Sequence, residues 1–387
     1  MNAPVAHLPI APIPGAAEWE KQLQQIARGS LEFCADFPTI ARRFEAWWAQ
    51  EIIDRPIFLG AANRNPQQPI TRRLELLEQP ERWLEAKFQD LLQTHCVGDA
   101  LPSIRVDFGP VLLGGLLGGR VTFDSDTTWT HALIGDDWSN APDWTIPDDG
   151  PWWGLLQELT RRTAEHAAGR FLVRTPDLGG SGDVLLNLRG SAALCTDVID
   201  NPSRVREAVD AIYPSWQRAF STLYRITLER GAGIIHWLGI WSDRPYMIPA
   251  CDFNALIGPR PFETLFLPDI ARQAETAGRA VFHLDGPDAA RHIDALLEVL
   301  AIQAIQFTPG AGTPSALAWV DMFRKIQRRG RSLFIVCPDE EVLELCEALP
   351  PQGLAIMVEG SLSPEDLDAL FAAFERRWQR GTAASVN

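Results

Sequence analysis

The sequence predicts one (β/α)8 (TIM) barrel, an α/β fold in which eight parallel strands alternate with helices. Three observations support this prediction. Short apolar runs alternate with amphipathic helical stretches from residue 170 onward, two more runs of the same kind precede that residue, and together the runs number eight. A doubly wound open sheet is the alternative, but no GxGxxG motif follows the first strand.

The predicted strands are short and rich in β-branched and aromatic residues. In chain order they are RPIFLGA (55–61), SIRVDFGP (103–110), RFLVRTPDLGG (170–180), GIIHWLGIW (233–241), RAVFHLDG (279–286), AIQAIQFTPGAG (301–312), RSLFIVCP (331–338) and GLAIMVEG (353–360). The intervening stretches carry helix signals. The one before VFHLDG has Pro261 near its start and Gly278 past its end, which is the usual placement of these two residues.

An excursion separates the second and third predicted strands. The stretch GGRVTFDSDTTWTHALIGDDW (118–138) predicts a small β-hairpin over one mouth of the barrel, and Trp- and Asp-rich loops follow it. We therefore expect an N-terminal arm and helical extension (1–50) and a single barrel domain (51–380). We also expect an insertion within the barrel at 111–151 and a flexible tail at 381–387.

Composition excludes several classes of function. The net charge is −15 and the one basic cluster is short, so no broad basic face is available for nucleic acid. No apolar run reaches the roughly 18 residues that span a bilayer, and the first residues lack a signal-peptide pattern. The six cysteines are scattered, without a CxxC pair. We expect a cytoplasmic protein that binds neither nucleic acid nor membranes.

The stretch VFHLDG (281–286) is the one most directly linked to chemistry. Val281, His283 and Asp285 alternate along a strand and therefore share one face. Since chemistry in barrels gathers at the C-terminal ends of strands, the imidazole and the carboxylate are predicted to lie together at the mouth. A structural hydrogen-bonded His–Asp pair is the alternative.

The other predicted strand ends also carry polar or reactive side chains. They are Asp107, Asp177, Trp241, Gln306, Cys337 and Glu359, and the fourth strand is followed by Cys251 and Asp252. Burial of a polar group without a partner costs roughly 2 kcal/mol or more, so a cavity for substrate, water or metal is predicted. The alternatives are loop-amide hydrogen bonds for the first two aspartates, apolar burial for the cysteines and helix capping for the glutamate. His236 and His292 are predicted to be structural.

Five segments, in this order, resemble the uroporphyrinogen decarboxylase superfamily. They are RRFEAWWAQEIIDRPI (42–57), LRGSAALCTDVIDNP (188–202), CDFNALIGPRPFETLFLPDI (251–270), FHLDGPDAARHIDALL (282–297) and IQFTPGAGTP (305–314). The resemblance covers roughly residues 40–380 and is closest to a large uncharacterised branch. It implies a (β/α)8 barrel, in agreement with the strand count.

The superfamily contains two chemistries. One is cofactor-free decarboxylation of the acetate arms of a tetrapyrrole, for which the decarboxylases carry an arginine-rich signature of the type RPPVWxMRQAGR. The corresponding DRPIFLGAANRNPQQP keeps only Arg55, Pro56 and Arg64. The guanidinium cluster that eight carboxylates require is missing, so decarboxylation of uroporphyrinogen itself is not predicted.

The other chemistry is methyl transfer between a corrinoid and a thiol, as in the methylcobalamin:coenzyme M methyltransferases. That resemblance implies a zinc site built from an H-x-C motif and a cysteine on the last strand. In this sequence the corresponding residues are His283, Asp285 and Glu359, with Cys337 as a fourth or substitute ligand. Such a set suits Zn²⁺, the first choice, or a harder divalent metal.

Three functional hypotheses follow. The first is a metal-assisted methyl (one-carbon) transferase that activates a thiol or hydroxyl acceptor, with a corrinoid as methyl donor or acceptor. In it Asp252, Asp177 and His283 are catalytic, and four residues bind the small-molecule substrate: Trp241, Gln306, Asp107 and Cys251. The second is a metal-free decarboxylase or lyase acting on a small carboxylate, with His283 as proton donor. The third is a non-catalytic barrel that binds a corrinoid or small molecule. The partners considered with these hypotheses are a corrinoid protein and a second copy of the chain in a homodimer.

Overall fold

The computed structural model describes residues 13–68, 70–124, 127–310 and 315–384, the last six of these by their backbone only. The first twelve residues of the predicted arm, the end of the predicted tail at 385–387 and part of the TPGAG loop (311–314) lie outside the described residues. Within the described residues, no helix is both long and apolar enough to cross a membrane.

Eleven strands are present in the described part of the chain. They are β1 (Ile57–Asn63), β2 (Thr94–Gly98), β3 (Ser103–Arg105), β4 (Arg120–Phe123), β5 (Thr128–His131), β6 (Leu172–Arg174), β7 (Ile234–Ile235), β8 (Val281–Asp285), β9 (Ala304–Thr308), β10 (Ser332–Pro338) and β11 (Leu354–Glu359). Each of the eight predicted barrel strands overlaps one of them, and β4 and β5 form an antiparallel hairpin inside the predicted insertion.

The strands assemble into two mostly parallel sheets and the hairpin. One sheet has the order β2-β1-β11-β10-β9-β8 and the other the order β3-β6-β7, and all neighbours except β2 and β1 are parallel. The segment after β7 links the sheets, because the amides of Val281 and His283 donate to the carbonyls of Met247 (3.1 Å) and Pro249 (2.9 Å). Among the described residues, no ladder joins β3 to β1 or β2. The prediction of a parallel α/β architecture is therefore confirmed, whereas the described ladders do not close a ring.

Helices alternate with these strands. They are α1 (Ala16–Ile26), α2 (Phe37–Trp48), α3 (Pro80–Gln93), α4 (Leu112–Leu116), α5 (Pro151–Ala167), α6 (Ser181–Arg189), α7 (Ser191–Asp200), α8 (Pro202–Leu228), α9 (Pro259–Pro261), α10 (Leu267–Ala277), α11 (Gly286–Ala289), α12 (Ile293–Glu298), α13 (Val320–Arg328), α14 (Val342–Ala348) and α15 (Pro364–Ala384). Proline occupies the first turn of many of them, where its missing N–H costs nothing, and Gly278 ends α10 in a left-handed conformation.

Several boundaries differ from the prediction, and three of these differences are the most informative. The stretch PERWLEAKFQDLLQTH (80–95) resembles one continuous helix, but α3 ends at Gln93, because Thr94–Gly98 pairs with β1 as β2. The strand predicted at 233–241 stops after Ile235, where the Gly239 amide donates to the His236 carbonyl and Gly239 adopts a positive φ of 76°. Helix α15 continues to Ala384, beyond the predicted start of the tail at 381.

Helix α2 packs across the N-terminal ends of the strands. The Trp47 indole donates to the carbonyl of Leu333 at the start of β10 (3.2 Å), and the Trp48 indole donates to the carbonyl of Trp241 (2.9 Å). Both tryptophans are buried. This end of the sheet is therefore filled by the N-terminal extension, which leaves the C-terminal strand ends for chemistry.

Candidate metal centre

Three polar side chains converge beyond the C-terminal end of β8. One potential ligand atom each from Asp252, His283 and Asp285 lies within 4.8 Å of the others, and all three side chains keep access to solvent. His283 and Asp285 project from the same face of the strand, as their spacing predicts. Asp252 begins a short 3₁₀ turn in the loop that follows β7.

Backbone contacts bring Asp252 to the strand end. The hydrogen bond from the His283 amide to the Pro249 carbonyl (2.9 Å) holds the loop against β8 three residues before Asp252. Farther along the loop, the Phe253 amide donates to Asp183 Oδ1 (3.0 Å) at the start of α6. A Cβ at Gly180 would lie 1.9 Å from the Ala250 carbonyl oxygen, so only glycine allows this close approach of loop and helix.

Gln306 orients the His283 imidazole. The two residues are register partners on β8 and β9, and Gln306 Oε1 accepts a hydrogen bond from His283 Nδ1. The Gln306 amide nitrogen donates to Thr308 Oγ1 (2.7 Å), which fixes the oxygen on the histidine side. His283 Nε2 is thereby left to bind a metal or a proton. Gln306, predicted to bind substrate, is fully buried and acts through His283 instead.

Trp237, rather than Trp241, is the tryptophan beside the site. Its ring meets the His283 imidazole edge-on, with 5.0 Å between centroids and an interplanar angle of 85°. Trp241, predicted to bind substrate, is fully buried against Phe37 near the N-terminal end of β7. The turn at Gly239 explains the difference, since it reverses the chain inside a run that resembles one continuous strand. Gly239 is the sequence feature that could have indicated this turn.

The predicted ligand Cys337 faces away from His283. Register partners on neighbouring parallel strands share a face, and His283 aligns with Gln306, which aligns with Phe334. Cys337 lies three residues after Phe334 and so projects toward the helices. It is fully buried, and burial raises the pKa of its thiol, as does the nearby Glu341 carboxylate. This corrects its assignment to the metal set.

Glu359, the other predicted ligand, shares the inward face but lies outside the three-residue cluster. Ala355 aligns with Phe334 and hence with His283, so Glu359 lies four positions farther along the strand direction. At about 3.3 Å per residue that separation is about 13 Å. Its side chain is exposed at the end of β11. Asp252 takes the place in the cluster that we predicted for Glu359.

Two more carboxylates surround the cluster. Burial raises the pKa of Asp177. The hydrogen bond that its Oδ1 accepts from the Gly179 amide (2.8 Å) and the charge of His283 lower it. Burial and the neighbouring Asp252 raise the pKa of Asp183 well above its usual value. Asp183 was not predicted, because a helix-start aspartate is ordinarily only a cap. Together these residues form an electronegative mouth.

The remaining predicted substrate residues lie at its edges. Asp107 is buried, accepts a hydrogen bond from the Gly109 amide (2.8 Å) and contacts two arginines. Cys251 is buried beneath Asp252, with its sulfur packed close to Gly182, and burial raises the pKa of its thiol. The structure therefore puts Cys251 behind the site rather than in it.

The three clustered side chains suit a divalent cation chemically. Zn²⁺ accepts histidine nitrogen and carboxylate oxygen at about 2.0–2.2 Å, and three protein ligands leave a position for substrate. The donor atoms are close enough for small side-chain rotations to bring them onto one ion. Burial raises the pKa of Asp252, the charge of His283 lowers it, and the charges of Asp285 and Asp177 raise it further. A bound cation would offset that repulsion between carboxylates.

Comparison with known proteins identifies a shared fold. No known family profile matches this sequence, and no curated protein matches it. A solved structure, a methyltransferase from Methanosarcina mazei, matches with a TM-score of 0.56 over 88% of this chain and 99% of that chain, at 13% sequence identity. A macrophomate synthase covers 59% of this chain and 81% of its own at 14% identity, but its TM-score of 0.20 supports no argument. At such identities the likeness to the methyltransferase establishes the fold alone.

Proposed function

We propose that this protein is a metal-dependent methyl (one-carbon) transferase. The convergence of Asp252, His283 and Asp285 at the C-terminal end of β8, with His283 oriented by buried Gln306, is the observation that supports the proposal. The proposal includes a ring of eight parallel strands and membership of the uroporphyrinogen decarboxylase superfamily. The shared fold with a methyltransferase is compatible with it.

Each side chain has a defined task in this proposal. Asp252, His283 and Asp285 would hold the metal, which when bound supplies a Lewis acid that lowers the pKa of a thiol or hydroxyl acceptor. Gln306 keeps the Nδ1 proton of His283 in place and so presents Nε2. Asp177, whose pKa is raised by burial, takes the acceptor's proton. Trp237 covers one side of the imidazole and limits the access of water.

The remaining parts of the proposal concern the metal and the methyl donor. Zn²⁺ is the first choice of metal, since an N,O,O ligand set accepts it, although harder divalent ions fit the same donors. A corrinoid, free or carried by a partner protein, is the proposed donor. The acceptor is a small molecule bearing a thiol or a hydroxyl.

Methyl transfer from methylcobalamin tests the proposal. The full chain, stripped with a chelator and reloaded with Zn²⁺ or Co²⁺, is incubated with methylcobalamin and a panel of small thiols and alcohols. Loss of the methylcobalamin absorption and a methylated acceptor detected by mass spectrometry are the readouts. His283→Ala and Asp252→Asn should lower the rate at least about a hundredfold, which corresponds to a few kcal/mol of transition-state stabilisation.

Cys337→Ser provides the matched control, because Cys337 points away from the cluster. Its rate should remain within a few-fold of the wild-type rate. Transfer that survives chelation, or that survives both active-site substitutions, would contradict the proposal. Release of CO₂ from a small carboxylate by the stripped protein would favour metal-free decarboxylation instead.

A further inference from the structure

Three arginines project into the region beside the metal centre. Arg105 on β3 and Arg174 on β6 are register partners, so their side chains emerge side by side from one face of the three-stranded sheet. Arg72 joins them, because its Nε and the Nε of Arg105 each lie 3.2 Å from Asp107 Oδ2. Two guanidinium groups therefore share one carboxylate.

Arg174 has no such partner. Among the residues that the structure describes, no carboxylate lies within ion-pair distance of its guanidinium, and its Nε has no hydrogen-bond partner although it is shielded from solvent. Its Nη2 lies beside Gly239, in the turn that also carries Trp237. Burial, and to a lesser extent the charge of Arg105, lower the pKa of Arg174 to about 10.

A cation without a counter-ion, partly withdrawn from solvent and beside a like charge, is costly, since no opposite charge offsets its desolvation. Arg72 Nη1 also lacks a hydrogen-bond partner. The cluster holds three guanidinium groups, and the carboxylate in direct contact with it, that of Asp107, pairs with Arg72 and Arg105 but not with Arg174. An anionic ligand would supply the missing charge and the missing acceptors.

The arginines and the metal centre are neighbours. Asp177 interacts electrostatically with both His283 and Arg105, so it is close to both groups. Charge is thus unevenly distributed in this region, with carboxylates and an imidazole near β8 and guanidinium groups near β3 and β6. The arginine positions that bind carboxylates in the decarboxylase signature correspond to the stretch after residue 54, on a different strand.

We propose that Arg174 and Arg105, supported by Arg72, form a binding site for an oxyanion, a carboxylate or a phosphate, carried by the substrate. The inference rests on the proposed function in that the bound group would anchor the substrate whose reacting atom meets the metal. A planar guanidinium presents paired N–H donors to two oxygens of such a group.

Thermal unfolding of the full chain tests the site with two probes, inorganic phosphate and malonate, at ionic strength matched with sodium chloride. Wild type should be stabilised by at least one probe in a saturable manner, as expected for a ligand of the folded state. Arg174→Gln and Arg105→Gln should weaken the apparent affinity about tenfold or more, and Arg174→Lys should weaken it less than Arg174→Gln. Response to phosphate alone or to malonate alone would identify the oxyanion.

A second signature separates a ligand site from a structural role. Without any probe, Arg174→Gln should unfold at a higher temperature than wild type, because it removes an unpaired charge. Arg225→Gln, which replaces an arginine of α8 that is 52% exposed, serves as the matched control and should respond to the probes as wild type does.

Equal stabilisation of wild type and Arg174→Gln by both probes, or no stabilisation beyond that of sodium chloride, would overturn the inference. Zn²⁺ titration of Arg174→Gln distinguishes this failure from failure of the proposed function. Metal affinity should be unchanged in that variant, since Arg174 contributes no atom to the three-residue cluster.

Discussion

At the residue scale, the chemistry depends on how one imidazole is held. His283 is fixed on three sides. Its backbone amide donates a hydrogen bond to the Pro249 carbonyl, its Nδ1 donates to the Gln306 side-chain oxygen, and its ring packs against Trp237. Gln306 is itself fully buried, so its amide has no solvent to compete for its bonds. Only the Nε2 side of His283 remains for a ligand, which is the arrangement that metal-binding histidines usually show.

Replacing Gln306 with Leu should therefore weaken metal binding without unfolding the protein. Loss of the group that orients a ligating histidine typically costs about 10–100-fold in affinity, because the ring can rotate and change tautomer. Isothermal titration with Zn²⁺ measures the effect, and circular dichroism checks the fold. Gln306→Glu is the matched control. It keeps an acceptor for Nδ1 and should therefore bind Zn²⁺ more tightly than Gln306→Leu does. Equal Zn²⁺ affinities of the two variants would contradict the orienting role.

At the element scale, the site depends on how closely the loop before Asp252 approaches α6. The loop is held by β8 on one side and by Asp183 on the other. Gly180 allows this close contact because it has no Cβ. Its φ of −93° would suit any residue. The reason for glycine is thus the neighbouring Ala250 carbonyl, not backbone conformation.

Gly180→Ala should displace the loop and Asp252 with it. We expect a lower unfolding temperature and weaker Zn²⁺ binding, since a Cβ 1.9 Å from a carbonyl oxygen forces the backbone to move. Gly154→Ala is the matched control. Gly154 lies in α5 with open space around it, so alanine should stabilise the protein by about 0.5–1 kcal/mol. Differential scanning calorimetry and Zn²⁺ titration compare them, and unchanged metal affinity in Gly180→Ala would contradict the account.

The sequence predicted those features that depend on local spacing. The alternation in VFHLDG predicts that His283 and Asp285 share a face, and the run AIQAIQF predicts an inward Gln306. Cys337 was misassigned because its direction depends on the register between β9 and β10, which is a contact between distant parts of the chain. Trp237 was missed because the turn at Gly239 interrupts an apolar run, and Asp252 joined the cluster only through the pairing of its loop with β8.

At the scale of the whole molecule, the two ends of the parallel strands have different roles. The N-terminal end is closed by α2, whose Trp47 and Trp48 reach carbonyls nearly 200 residues or more away in sequence. Glu45 of α2 adds an ion pair with Arg279 (2.7 Å) before β8 and accepts from the Asp243 amide (2.8 Å). The C-terminal end carries the cluster of Asp252, His283 and Asp285.

Glu45 should make stability fall as the pH rises. Burial, with a smaller contribution from the charge of Asp243, raises the pKa of Glu45 to about 7, because these effects outweigh the charge of Arg279, which lowers it. Since the ordinary value is 4.5, the stabilising contribution of the protonated form is complete below pH 4.5 and is lost as the pH passes about 7. Glu45→Gln should therefore gain on wild type by on the order of 1–2 kcal/mol between pH 5 and pH 8.

Urea unfolding at a series of pH values measures this difference. Glu229→Gln, at the exposed end of α8, controls for the loss of one negative charge. A constant difference between Glu45→Gln and wild type across the pH range would show that Glu45 does not titrate in the expected window.

Equilibrium Zn²⁺ titration of the metal-free full chain shows whether Asp252, His283 and Asp285 bind one metal ion. We expect one equivalent bound by wild type, by Glu359→Gln and by Cys337→Ser, and binding weakened at least about tenfold in His283→Ala, Asp252→Asn and Asp285→Asn. Binding that depends on Glu359 or Cys337 but not on Asp252, or no binding of Zn²⁺ by wild type, would contradict the account.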